Sequence, residues 1–206
     1  MNKIFLFFIF FVACSSGPIF FQDTLIDVIK QPLSTFSDIE KKVDDGADIN
    51  EVKNDESALM VAIDYRRTDL EDVVSYLLFE GAKINFQNNE GETLLTKTIK
   101  KESLLGDKLT ARLLRIYFKY GAEKNLRNEV TGDTPLHVAL SESIALNRMT
   151  TSAHFLLKYG GKRDVMNHKT YTPSEMMKTL ASPELYQSYQ KILKEIEADT
   201  YLDFIQ

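Results

Sequence analysis

The chain is short of several things at once. It has no tryptophan and only one cysteine, Cys14, so no intrachain disulfide can form and stability must come from packing. A Cys–His nucleophile is excluded for the folded part, because Cys14 lies at the end of an N-terminal apolar run. The three histidines, His137, His154 and His168, never stand at a spacing that puts two on one helix face, which argues against zinc. No glycine-rich phosphate loop and no dinucleotide fingerprint occurs. Basic residues number 25 against 30 acidic, and no basic stripe stands out, which argues against nucleic acid. The same balance argues against a membrane held by charge. Acidic clusters such as Asp44-Asp45 and Asp69-Glu71-Asp72 read as solvated faces, not as paired catalytic carboxylates. These absences predict a chain with no catalytic residues, no metal, no cofactor and no small-molecule substrate.

The longest apolar run is at the N-terminus. After Lys3, residues 4–13 are unbroken Ile, Phe, Leu, Val and Ala, and Cys14-Ser15-Ser16-Gly17-Pro18 follow. Ten residues suit a signal-peptide core and fall short of the roughly 20 that span a bilayer. Val12-Ala13-Cys14 resembles the lipobox of bacterial lipoproteins, departing from it at Phe11, where that family usually has leucine. The resemblance implies cleavage before Cys14, acylation of Cys14, and retention in a bacterial envelope, on its periplasmic or surface side and at the outer membrane. An ordinary cleaved secretory signal and an uncleaved anchor are the other readings of the same residues. Residues 1–13 are thus expected as signal peptide and 14–21 as a lipidated tether. Phe20 and Phe21 either lie in the membrane interface or cap the first folded unit. Without residues 1–13 the chain carries 24 basic and 30 acidic groups. The absence of any N-x-Ser/Thr acceptor is consistent with a bacterial source.

Four of the nine glycines open a recurring segment: Gly46-Ala47-Asp48-Ile49-Asn50, Gly81-Ala82-Lys83-Ile84-Asn85, Gly121-Ala122-Glu123-Lys124-Asn125 and Gly160-Gly161-Lys162-Arg163-Asp164. Successive offsets are 35, 40 and 39 residues. Each segment follows an apolar helical stretch, so its glycine reads as a left-handed helix cap. Each also precedes a slot shaped like a helix start. Thr134-Pro135-Leu136-His137-Val138-Ala139 is the complete version, with Thr134 as N-cap and Pro135 at the first helical position. Ser57-Ala58-Leu59-Met60, Thr93-Leu94-Leu95-Thr96 and Thr172-Pro173-Ser174-Glu175 are degenerate copies.

Together these strings resemble the ankyrin repeat, with its T-P-L-H-x-A and G-A-D-V-N signatures. The resemblance implies an all-α solenoid over residues 22–198, about five helix–turn–helix repeats joined by hairpin loops, the terminal ones degenerate. Complete repeats are expected at about 57–90, 92–131 and 133–169, with 199–206 as a tail. The first outer helix is expected from Ser37-Asp38, and Ser182 is expected to cap the last helix. The family period is about 33 residues, so every interval here is longer. The extra residues are expected as enlarged loops around 65–69, 102–107 and 142–147.

Function follows only by resemblance. Ankyrin proteins bind other proteins through hairpin tips and inner helices, and the family uses the histidine at position 137 to brace the hairpin. By register the hairpin positions are Gln87, Asn89 and Glu92, then Arg127, Glu129 and Asp133, then Met166, His168 and Tyr171. The second finger carries an extra residue near Thr131, which loosens its register. Arg127 and Tyr171 are the expected anchors, since arginine and aromatic side chains dominate interface energetics. The partner is expected to be a protein, with protection, inhibition or immunity as possible roles. Action on a host protein, or scaffolding in the envelope, are the alternatives.

Overall fold

Most helices in this chain start at a hydroxyl. Thr24 opens α1 (Leu25–Lys30) and Thr35 opens α2 (Phe36–Asp44), each in a reciprocal capping box. In the first, the Asp27 N–H donates to Thr24 Oγ1 at 3.3 Å and the Thr24 N–H donates to Asp27 Oδ2 at 3.1 Å. Ser57 caps α3 (Ala58–Asp64), and Thr93 with Thr96 caps α5 (Leu94–Lys100). Thr150 caps α9 (Thr151–Lys158), and Thr172 with Glu175 caps α10 (Pro173–Leu180). Ser182 Oγ accepts from the Leu185 N–H at 3.2 Å, at the start of α11 (Pro183–Asp203). The remaining helices are α4 (Leu70–Phe79), α6 (Glu102–Leu105), α7 (Asp107–Lys119) and α8 (Pro135–Ala145).

The computed structural model describes residues 23–65 and 67–203. The expected signal peptide, Cys14, the tether and Arg66 lie outside the described residues. Within them the helices form two rows. Helices α1, α3, α5, α8 and α10 pack side by side, and α2, α4, α7, α9 and α11 line up behind them. Each member of the first row also contacts its partner in the second: α1 with α2, α3 with α4, α5 with α7, α8 with α9, α10 with α11. The core runs continuously from Leu25 to Ile192 between the rows. Where a tyrosine enters it, the hydroxyl is matched: fully buried Tyr117 meets Thr98 Oγ1 at 2.9 Å.

Second-row helices end on the recurring glycines. Gly46, Gly81, Gly121 and Gly160 all have φ between 82° and 96°. A Cβ at Gly46, Gly81 or Gly121 would meet nothing within 4 Å, so backbone conformation, not space, demands glycine there. The next N–H folds back on the helix, as Ala82 does to Leu77 O and Ala122 to Tyr117 O, both at 2.9 Å.

Several boundaries differ from the sequence expectation. Helix α2 starts at Phe36, because Thr35 and not Ser37 or Asp38 supplies the cap. The region expected as a loop around 102–107 holds α6, ended by Gly106 at φ 82°. Residues 142–145 extend α8, which stops before Asn147 at φ 48°. Much of the extra length is therefore helix, since nothing in it breaks one until those left-handed residues. Helix α11 continues to Asp203, into the segment expected as a tail. The described residues also contain one short antiparallel hairpin, β1 (Val52–Lys53) with β2 (Glu56–Ser57). Asn54 and Asp55 turn it at φ 52° and 67°, the pair of left-handed residues a two-residue hairpin requires.

Candidate protein-binding surface

Between each glycine cap and the next first-row helix the chain projects a finger. Three of these are built alike around an asparagine. Asn88 Oδ1 accepts from the Glu90 and Glu92 N–H groups at 3.1 and 2.8 Å. Asn128 Oδ1 accepts from Val130 and Thr131, and Asn167 Oδ1 from Lys169 and Tyr171. Across the first and third fingers, Asn88 bonds to Glu92 O and Asn167 to Tyr171 O. In the second, Asn128 bonds to Asp133 O, one residue further on, so the extra residue expected near Thr131 is present.

The fingers are tied to one another in a row. Asn50 Oδ1 accepts from the Lys83 N–H at 2.8 Å, Asn85 Oδ1 from Glu123 at 2.9 Å, and Asn125 Oδ1 from Lys162 at 2.8 Å. The amide of Asn85 donates to Gly121 O at 3.1 Å and that of Asn125 to Gly160 O at 3.2 Å. Each recurring asparagine thus fixes the next cap. Closer to the tips, the Asn128 amide donates to Glu90 O and the Asn167 amide to Asp133 Oδ1, both at 2.7 Å.

His137 links finger to helix. The Thr134 N–H and Oγ1 both meet its Nδ1, at 3.0 and 2.9 Å. An atom that accepts from a backbone N–H carries no hydrogen, so the ring hydrogen is on Nε2, which donates to Tyr171 O at 3.0 Å. Thr134 therefore shares the histidine nitrogen where the other threonine caps meet a carboxylate or hydroxyl oxygen. The bond to Tyr171 braces the third finger against α8.

The nine sequence-predicted positions divide into two groups. Gln87, Glu92, Arg127 and Asp133 spend their polar groups inside the array. Gln87 Nε2 donates to Arg127 O at 2.9 Å, and Glu92 pairs with Lys100 at 2.9 Å. Arg127 Nε donates to Gly132 O at 3.2 Å and its Nη2 to Met166 O at 2.9 Å. Asp133 holds Asn167. Arg127, expected as an anchor, is thus a brace between the second and third fingers, because its guanidinium fork matches two carbonyls. Asn89, Glu129, Met166, His168 and Tyr171 are exposed, Met166 by 52%. The His168 ring does reach back, Nδ1 lying 3.1 Å from Val130 O. Gln87, Asn89 and Glu129 come together around a polar groove of about 530 Å³ between two fingers, where the Asn89 N–H is held by Asp55. Val130, 60% exposed, and Val52, 48% exposed, were not singled out by register. Nor were Asn88, Asn128 and Asn167, although their offsets of 40 and 39 repeat those of the glycines.

Beneath the fingers the first-row helices carry ion pairs. Lys97, 9% exposed, bonds to Glu56 and, at 2.8 Å, to Asp64, which also receives Lys101. Burial pushes the Asp64 carboxyl up, but hydrogen bonds from Lys101 and Lys97 outweigh it and hold the group below its usual range. Burial likewise opposes the charge on Lys97, and its two carboxylate partners more than restore it. Each charge is answered by a neighbour, which leaves a paired, solvated face. Among the described residues no cluster of histidine, cysteine or acids could hold a metal ion, and no helix is long and apolar enough to cross a membrane.

Comparison with known proteins agrees with this geometry. The family model "Ankyrin repeats (3 copies)" matches residues 59–168. An ankyrin repeat protein of fowlpox virus (strain NVSL) is 28% identical over 131 residues, which is 64% of this chain. The aligned region is 20% of that relative's length. Such repeats are generally protein-interaction modules without catalysis. With three matched copies, an asparagine tie between successive caps and a finger before each first-row helix, this chain belongs to the ankyrin-repeat family.

Proposed function

We propose that this chain is a non-catalytic protein-binding module held at a bacterial envelope by lipid on Cys14. The observation that carries the binding half is the finger row, rigidly tied by hydrogen bonds yet exposing Val130, Met166 and Tyr171. Apolar side chains on a pre-organised backbone lose little entropy on binding, which is what a protein epitope needs. Val12-Ala13-Cys14 after an apolar run supports the anchor. The pairs α1 with α2 and α10 with α11 serve as degenerate terminal repeats, which makes five in all. Protection, inhibition or immunity are the roles such a module fills.

Two measurements test this. The wild type should incorporate labelled fatty acid and Cys14→Ser should not; no label in the wild type, in a bacterium with lipoprotein machinery, refutes the anchor. Photo-crosslinkers at Val130, Met166 and Tyr171 should capture one defined envelope protein, and the same groups at Lys41 and Lys119 should not. Equal capture from both sets refutes the finger surface.

A further inference from the structure

Successive gaps between the fingers are built alike but filled differently. Gln87, Arg127 and Met166 share one register position, 40 and 39 residues apart, and Asn89, Glu129 and His168 share another, two residues on. The chain itself occupies the gap between the second and third fingers. Arg127 crosses it to Met166 O at 2.9 Å, and His168 Nδ1 turns back to Val130 O at 3.1 Å. A Cβ on Gly132 would lie 2.6 Å from the His168 ring and 3.0 Å from Arg127 Nη2, so both side chains close against the backbone of the second finger.

The gap between the first and second fingers has neither group. Gln87 makes the equivalent crossing, Nε2 to Arg127 O at 2.9 Å, with a shorter and uncharged side chain. Glu129 stands where the next finger has His168, and among the described residues its carboxylate forms no hydrogen bond or ion pair. What remains is the open groove of about 530 Å³.

Its wall offers acceptors and no cation. Glu123 and Glu129 both line it, with no lysine or arginine beside them. Glu123 Oε1 is approached only by the Asn85 amide, at 3.5 Å, and among the described residues neither carboxylate has a basic partner. The basic groups of the two fingers are directed elsewhere. Lys124 Nζ donates to Tyr159 O at 2.6 Å, and Arg127 spans the second gap. Lys83, exposed at the base of the first finger, pairs with neither carboxylate. Leu126 and the 60% exposed Val130 add apolar surface on the second finger.

We propose that this groove receives the arginine or lysine side chain of a protein partner, its charged head meeting Glu123 and Glu129 and its methylene stem lying along Leu126 and Val130. Unpaired carboxylates accept what a guanidinium or ammonium donates, and such charge-assisted bonds are the strong ones. A long basic side chain also carries an apolar stem that packs while its head stays polar. The second gap supplies the precedent within this chain, since a guanidinium fills it from the position that Gln87 holds in the first. The inference rests on the fingers being the binding face, and it names the chemistry that face selects.

The experiment titrates the full, isotope-labelled chain with N-acetylarginine N-methylamide and follows amide chemical shifts. The side-chain amides of Gln87 and Asn89 and the backbone amides of Glu129 and Val130 should move along one saturable curve. The citrulline counterpart, equal in shape and uncharged, should bind about tenfold more weakly. Glu123→Gln combined with Glu129→Gln should cost the arginine probe about tenfold with helicity unchanged. Gln87→Arg should abolish binding, because the chain then fills this gap as Arg127 fills the next; should that variant not fold, the double glutamine variant still decides. Equal binding of the citrulline probe, shifts centred away from the groove, or undiminished affinity of the double variant would each overturn the proposal. Crosslinking from Met166 and Tyr171 tests the finger face without the groove, so a failed titration beside intact crosslinking overturns the groove alone.

Discussion

His137 offers the sharpest test of how the repeats hold together. It is 1% exposed, and Thr134, whose N–H it receives, is fully buried. Truncation in His137→Ala strips the partner from that N–H and from Tyr171 O. An unsatisfied buried donor costs about 1–3 kcal/mol. Tyr171 is more open to water, so its carbonyl recovers part of its bond and loses about 1 kcal/mol. The expected total is about 2–4 kcal/mol, a large share of the 5–15 kcal/mol typical of a folded domain. His137→Asn separates the two contributions. A short acceptor at this helix position can take the Thr134 N–H, as Asp27 and Asp38 do for Thr24 and Thr35, but it cannot reach the third finger. It should therefore cost only about 1 kcal/mol. Urea unfolding followed by circular dichroism gives both values, with m unchanged. Hydrogen exchange adds an independent readout. In a stacked array the bond to Tyr171 is a nearest-neighbour contribution, so amides of residues 172–198 should exchange faster in both variants. If Ala and Asn destabilise equally, or if Ala lies within about 0.5 kcal/mol of wild type, then the capping role deduced from Nδ1 is wrong.

Three further expectations follow from the same geometry. Asn85→Ala and Asn125→Ala should each cost about 0.5–1.5 kcal/mol and add independently; Asp164→Ala, at the matching position with no rung formed, should cost nothing measurable in the same urea titration. Thr170 sits at φ 66° in the place held by Gly91 in the first finger, so Thr170→Gly should relieve about 1 kcal/mol of strain and raise Tm by about 2–4 °C in a thermal melt, whereas a fall in Tm would contradict it. The Asp27 carboxyl, held by Lys53 and by the Thr24 cap, is lowered from 3.8 to about 2. A depressed acid stabilises the fold above its unfolded value and loses that contribution as pH falls through the folded one, so between about pH 4 and pH 2 Asp27→Asn should flatten the decline of Tm, and an unchanged slope would rule the pair out as a source of acid lability.

What the sequence disclosed were the features with local causes. A glycine that must adopt positive φ and a hydroxyl that must cap a helix can be read from a few neighbours, and those positions fell where expected except at α2, where Thr35 and not Ser37-Asp38 is the cap. Enlarged loops around 102–107 and 142–147 were misjudged because length alone does not distinguish loop from helix. Glu102 shows why long-range roles stay hidden. It stands 49 and 50 residues from the N–H groups it receives, and as a lone charged residue after two lysines it reads as solvated surface. Only the packing of α8 on α5 and of α9 on α7 brings it to a helix N-terminus, where a buried carboxylate is stabilised by the dipole and the unpaired N–H groups.

Arg127 carries the same lesson into the binding surface, and it changes where a partner would sit. Residue type ranks arginine as an interface anchor, yet the fork that suits a partner's carboxylate suits two carbonyls of the adjoining finger as well. With Gln87, Glu92 and Asp133 also committed internally, the exposed apolar groups of the fingers are Val52, Val130, Met166 and Tyr171. The turns on the far side expose Leu33, Tyr65, Leu146 and Leu180. A first-row helix such as α8, of 11 residues, separates the two edges by about 16 Å at 1.5 Å per residue.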